Sequence, residues 1–264
     1  MVTPSPAVAH ATAPAPRLPL RTHVAMFSRL LAIQGAWNYE TFLGNGIAFA
    51  MEPALRFLPG GPGGPAFNAA IARQCTYFNA HPYLAAIAVG ALARAELDGE
   101  PPERIERFRT ALAGPLGSVG DRLIWAAWLP FCSLLALLAF GLGAGTGTVL
   151  LIFLGIYNAG HLSLRAWGLR TGWSHGLRVA AALGNPLLRR GTPVIGRAAA
   201  FTAGAAFPLV LLRSIGPGRV LIGGVIVAAV LGTLLIVRLH GRIDGWRLAL
   251  FVLGIFALVA VARR

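Results

Sequence analysis

The sequence predicts an all-α, polytopic integral membrane protein with broken or re-entrant helices and about four to six membrane segments. Three observations carry that expectation. Hydrophobic residues fill 56% of the 264 positions before the 33 Gly are counted, whereas soluble domains reach ~45–50% with glycine included. Charged residues are only 12%, about half the usual ~25%, too few to cover a soluble surface. Finally, no charged side chain lies between Arg122 and Arg165, and a bilayer span needs about 20 residues, so that stretch holds two.

The charge balance narrows the class further. The net charge is +14, and every one of the 23 basic residues is Arg. Arg sits mostly between apolar runs, where a membrane protein meets anionic lipid at the cytoplasmic interface. A nucleic-acid binder would instead spread it through polar segments with aromatic residues interleaved, so nucleic acid is not expected as a partner. The two Cys, Cys75 and Cys132, form neither a disulfide framework nor a zinc spacing. There is no P-loop, GxSxG or strand-bound GxGxxG. No metal, cofactor or catalytic residue is expected, and an enzyme using His81 or His161 would lack a paired nucleophile and base.

Along the chain, residues 1–22 are rich in Ala and Pro without an apolar h-region, which predicts a disordered tail rather than a signal peptide. The membrane domain then runs over 23–264. Its first part, 23–122, predicts a short amphipathic helix and a broken helix over 24–58, interrupted by Gly35, Gly44 and Gly46. A turn follows at GGPGGP, 60–65. Residues 66–95 read as one helix broken by Pro82, and the acid-rich ELDGEPPERIERFR at 96–109 reads as a solvated loop. An apolar hairpin over 123–164 bends at GLGAGTG, 141–147, and a basic cytoplasmic segment follows over 165–197, with six Arg and no acid. The C-terminal part, 198–264, holds apolar runs at 198–212, 220–237 and 248–262. Because 94–122 and 165–197 flank the hairpin on one side and carry its Arg, that side is expected to be cytoplasmic.

Polar side chains in such a chain are costly and invite a functional reading. They gather in three clusters: QGAWNYET at 34–41, FNAHP at 78–82 and GPLGSVGD at 114–121. Planar amides and carboxylates beside an imidazole can grip a polar ligand, so Gln34, Asn38, Glu40, Asn79, His81 and Asp121 are the candidate substrate-binding residues. Asp121 follows three glycines, where the backbone can turn sharply and present helix-end dipoles. Asn79 and His81 stand at the Pro82 break. Each has a structural reading too. Asp121 can pair with Arg122, Asn79 can close the break, His81 can pack, and Asn38 and Glu40 can cap the break near Gly44. Trp37, Trp125 and Trp128 can anchor at the interface, and His161 can bond a neighbouring helix.

These blocks, followed by YNAGHLSLRAWGLRTGW at 157–173, resemble the IID membrane component of the mannose/fructose/sorbose family of the sugar phosphotransferase system. There one expects an opening like QGSWNFER, then FNTHP, GPLAGVGD and a late FN…RYYG segment, in this order. The resemblance covers 24–178. It implies a permease subunit in the bacterial cytoplasmic membrane that pairs with a IIC-type partner in a hetero-oligomer. A hexose of the mannose class would be the cargo, phosphorylated by soluble IIB and IIA phosphocarriers, with no phosphorylated residue on this chain. The chain departs from the pattern at Arg122, at Leu129 before Pro130 and in the short turn at 213–219. Those departures motivate the alternative of a non-transporting scaffold or regulatory relic.

Overall fold

Helix α1 (Leu20–Leu31) shows why the first part folds as it does: Met26 and Leu30 fall one turn apart and are both wholly buried. The computed structural model describes residues 17–215 together with Gly223, Val227, Val230 and Leu231. Of the expected tail over 1–22, the part before residue 17 lies outside those residues while residues 20–22 already belong to α1, and the runs at 220–237 and 248–262 lie outside or are only touched. After α1 come α2 (Gly44–Leu55), α3 (Pro65–Gln74), α4 (Ala85–Leu97), α5 (Pro102–Gly120), a π-helical segment (Asp121–Trp128), α6 (Leu129–Gly141) and α7 (Thr146–His175). A 3₁₀ stretch (Gly176–Gly184) and α8 (Pro186–Ile215) complete them. Among the described residues the only β pairings are single bridges, Asn38 with Phe42 and Phe42 with Phe78.

The chain is an all-α, multi-pass membrane protein. Among the described residues three helices are long and apolar enough to cross a bilayer: Pro102–Gly141, Thr146–Val179 and Arg190–Ser214. The first two form the expected hairpin, with Gly143 at φ 104° in the bend, a conformation that side-chain-bearing residues rarely adopt.

Helix α4 is the centre of the fold, buried from Ala85 to Glu96. It can be so deep because it is mostly Ala and Gly, which lets backbones approach closely. Gly168 and Gly172 of α7 lie against Ala86 and Ile87, and Gly90 of α4 lies against Leu169 and Trp173. Glu96, near its C-terminal end, accepts both prongs of Arg73 at 3.0 and 2.9 Å and the Gln74 amide at 2.8 Å. That network ties α3 to α4.

Three expectations need correction. The segment 96–109 is not a loop: α5 starts at Pro102, with Pro in its first turn and Glu103 beside it, both favourable at a helix N-terminus. Ile105, Arg109, Leu112 and Leu116 recur on one buried face, and the remaining charges coat the solvated side. GPLGSVGD does not turn sharply. The helix carries through Pro115 and widens into the π segment at Asp121, so Asp121 stands at no helix end. The Pro82 break is wider than one residue, since α3 ends at Gln74 and α4 begins only at Ala85.

The connection between α3 and α4 is held by Arg109. Its guanidinium donates to the carbonyls of Gln74, Thr76 and Tyr77 at 3.1, 2.5 and 2.8 Å and lies over the Phe78 ring. Carbonyls left over at a helix end need such partners. By clamping them, Arg109 fixes the extended stretch that carries Asn79 and His81.

Candidate functional site

Past Phe78, the chain enters a cavity of about 290 Å³ walled by Asn79, Ala80, His81 and Pro82 on one side and by Gly114, Gly117, Ser118 and Asp121 on the other. The volume is near the small end for ligand pockets. The glycines explain the close approach of the walls. A Cβ on Gly120 would stand 2.2 Å from the His81 Cβ, so only glycine lets α5 press against the imidazole.

His81 is 1% exposed. Its Nδ1 accepts the Tyr83 backbone N–H at 3.2 Å, which leaves the proton of the neutral ring on Nε2. That N–H is buried and has no partner among the described residues. Burial, reinforced by the positive charge of Arg165, lowers the His81 pKa to about 4. The unfolded chain therefore takes up the proton first as pH falls, and stability is full above the usual value of about 6.5 and declines toward pH 4. A detergent-solubilised sample should melt several degrees lower at pH 5 than at pH 7.5, and His81→Gln should shrink that difference. An undiminished difference would place the titration elsewhere.

Asp121 is exposed, its backbone N–H bonds back into α5, and its carboxylate makes no ion pair or hydrogen bond among the described residues, so it is not spent on Arg122. Asn79 is also exposed. Of the six candidate residues, the structure brings Asn79, His81 and Asp121 together. Gln34, Asn38 and Glu40 stand outside the cavity, on the 34–43 loop. Asn38 is consumed there: its Oδ1 accepts the Glu40 and Thr41 amides, and its Nδ2 donates to Ala36 and Thr41. The loop adjoins the site through backbone bonds between Leu43 and Phe78 and between Phe78 and Thr41 and through the contact of the Phe42 and Tyr77 rings.

Behind His81 lies a polar aromatic cluster that the sequence reading did not assemble. Tyr83 contacts His81, its hydroxyl meets that of Tyr157 at 2.7 Å, and its ring stacks on His161 at 4.8 Å. Arg165, 3% exposed, lies over Tyr83 and donates to the Leu30 carbonyl. His161 bonds Asn158 on its own helix rather than a neighbour, as the Asn158 amide also bonds Leu154. The signal was present, because Tyr157, His161 and Arg165 recur every four residues on one face of α7. At about 1.5 Å per residue, both Asp121 and Arg165 stand about 30 Å along their helices from the 142–145 turn, one hydrocarbon thickness away. Among the described residues no His, Cys, Asp and Glu group could hold a metal.

Comparison with known proteins gives this geometry a context. The family described as "PTS system mannose/fructose/sorbose family IID component" matches residues 17–207. The chain is 33% identical over 189 residues to the fructose permease IID component of Bacillus subtilis (strain 168), covering 68% of this chain and 67% of that protein. It is 31% identical over 175 residues to the mannose-specific EIID component of Escherichia coli (strain K12), covering 62% of this chain and 59% of the relative. The sorbose-specific EIID component of Klebsiella pneumoniae is 32% identical over 175 residues, with 63% and 61% covered. The match to the last two thus spans only about three fifths of their length. A structure titled as a membrane protein superposes with a TM-score of 0.68 at 21% identity, over 94% of this chain and 97% of that one. The cryo-EM structure of the mannose transporter ManYZ with microcin E492 gives 0.56 at 22%, with the same coverage. At those identities the likeness is one of fold.

Proposed function

From the premise that the chain belongs to the mannose/fructose/sorbose family of IID components of the PTS, we propose that it is one membrane half of a hexose permease. It pairs with a IIC-type subunit in a hetero-oligomer in the bacterial cytoplasmic membrane. A sugar of the mannose class passes through the pair, and IIB- and IIA-type phosphocarriers supply the phosphoryl group. The relatives carry fructose, mannose and sorbose in their names, which favours a hexose. This chain would bind and release sugar without bonding to it covalently.

The observation that carries the reading is the buried Nε2–H of His81, unpartnered beside a cavity walled by Asn79 and Asp121. A buried donor without an acceptor is costly, and a sugar hydroxyl would accept from it while donating to the Asp121 carboxylate. The cavity is one membrane thickness from the 142–145 turn, and by the distribution of Arg its side is cytoplasmic, where a soluble phosphocarrier can reach the sugar.

Vesicles holding this chain, its IIC-type partner and the soluble components should take up hexose only when phosphoenolpyruvate is supplied. Uptake at background level from an assembled pair would overturn transport and leave the scaffold reading. The pair should also melt several degrees higher than this chain alone, because a partner that binds only the folded state stabilises it. A chain equally stable with and without the IIC-type subunit would contradict the pairing.

A further inference from the structure

The loop over 34–43 carries an exposed aromatic ladder that the cavity does not explain. Trp37 meets Tyr39 edge-on at 4.8 Å and Phe42 at 5.5 Å, and Phe42 meets Tyr77 at 5.1 Å. These rings are not core: Trp37 is 42% exposed, Tyr39 86% and Tyr77 55%. Polar residues flank them in the chain. The Trp37 backbone N–H donates to the Gln34 carbonyl, closing a four-residue turn, and the Glu40 backbone N–H donates to the Asn38 side chain. The side chains of Gln34 and Glu40 are exposed and make no bond among the described residues.

A second observation is independent of the rings' exposure. Phe42 has φ 52°, the only non-glycine residue described with positive φ. Such a conformation is strained for a bulky residue and persists only where the surroundings enforce it. Here bonds from Phe42 N–H to the Asn38 carbonyl and between the Thr41–Leu43 stretch and Phe78 enforce it. The result is that Phe42 bridges Trp37 to Tyr77.

The ladder is also continuous with the cavity. Along an extended segment, side chains alternate. Phe78 points inward and is fully buried, whereas Tyr77 and Asn79 are both exposed. Tyr77 therefore ends the ladder at the residue pair whose other member, Asn79, forms the cavity wall.

We propose that Trp37, Tyr39 and Tyr77, with Gln34 and Glu40, form a second sugar subsite at the mouth of the cavity, on which a hexopyranose ring stacks on its way into or out of the Asn79–His81–Asp121 site. The inference rests on the permease reading. The occupant is a polyol ring rather than lipid, because an aromatic platform flanked by an unpaired amide and an unpaired carboxylate matches apolar ring faces edged by hydroxyls, whereas an exposed Glu is unfavourable against anionic headgroups.

The test uses the full chain purified with its IIC-type partner and titrated separately with mannose, fructose and sorbose. Against the sugar that binds, Trp37→Ala should weaken affinity roughly threefold to tenfold with an unchanged melting temperature. Trp37→Phe should restore most of it, and the sugar-induced change in tryptophan emission should shrink in Trp37→Phe. Affinity within twofold of the parent in Trp37→Ala, with Asp121→Asn still defective, would overturn the subsite while leaving the permease reading intact. Loss of partner association at unaltered sugar affinity would overturn it in favour of a protein contact. Binding of none of the three sugars by the parent pair would overturn both.

Discussion

Gly172→Ala is expected to abolish most of the folded protein, an unusually large effect for one methyl group. The added Cβ would stand 2.1 Å from the Ile87 carbonyl oxygen and 2.8 Å from the Ala91 nitrogen. Both are backbone atoms of α4, so no side chain can rotate out of the way. Overpacking of an ordinary core costs about 1–3 kcal/mol, and here two helices must separate along the seam that buries α4. Against a total stability of about 5–15 kcal/mol, a penalty several times that ordinary cost empties the monodisperse peak of a detergent size-exclusion run. Gly90→Ala should behave alike, since its Cβ would meet the Leu169 carbonyl at 2.3 Å. Gly155→Ala, on the same helix as Gly172 but facing open space, is the control: it should be neutral or gain up to about 1 kcal/mol from helix propensity. A Gly172→Ala variant that melts like the parent would mean that α4 and α7 do not pack as described.

The contrast among these glycines shows where the sequence was legible. The hairpin of α6 and α7 could be read directly, because a charge-free run has one physical explanation and its Gly-rich middle one use. The first 100 residues gave breaks near Gly35, at GGPGGP and near Pro82, because Gly and Pro act locally. Gly44 and Gly46, by contrast, open α2 instead of interrupting a helix, and Gly46 lets it press on the Ile33 backbone. Helix α5 was hidden for the opposite reason. Its apolar positions are sparse and its charges dense, so a solvated helical face looks like a loop unless Ile105, Leu112 and Leu116 are counted by turns.

The site was legible in part, and the division is instructive. Asn79, His81 and Asp121 were singled out for their cost in an apolar chain, and they converge across Gly117 and Gly120. Asn38 had the same credentials and spends its amide on its own turn. No sequence spacing separates those outcomes, because they depend on which atoms a neighbour has already satisfied. The same holds for Arg165, which reads as part of a cytoplasmic basic run but lies buried over Tyr83, donating to the Leu30 carbonyl. The contact joins residues 135 positions apart, beyond any local pattern.

Asp121→Asn is expected to preserve the fold and the pairing with a IIC-type subunit while reducing sugar affinity about 10- to 150-fold. The fold half follows from exposure. The carboxylate makes no ion pair among the described residues and the helix runs through it, so an amide of the same size should alter stability by less than about 0.5 kcal/mol. The affinity half follows from chemistry. A hydrogen bond to a charged group contributes about 1.5–3 kcal/mol, and each 1.4 kcal/mol is a tenfold change. The π segment that begins at Asp121 adds a geometric reason. Such bulges occur often at functional sites, and here the bulge sets Asp121 opposite Asn79 while Trp125, one turn on, contacts the His81 ring at 5.1 Å. A thermal melt, a copurification yield and a sugar titration on parent and variant decide the matter. Undiminished sugar affinity would remove Asp121 from the site, and a lowered melt with lost pairing would make it structural.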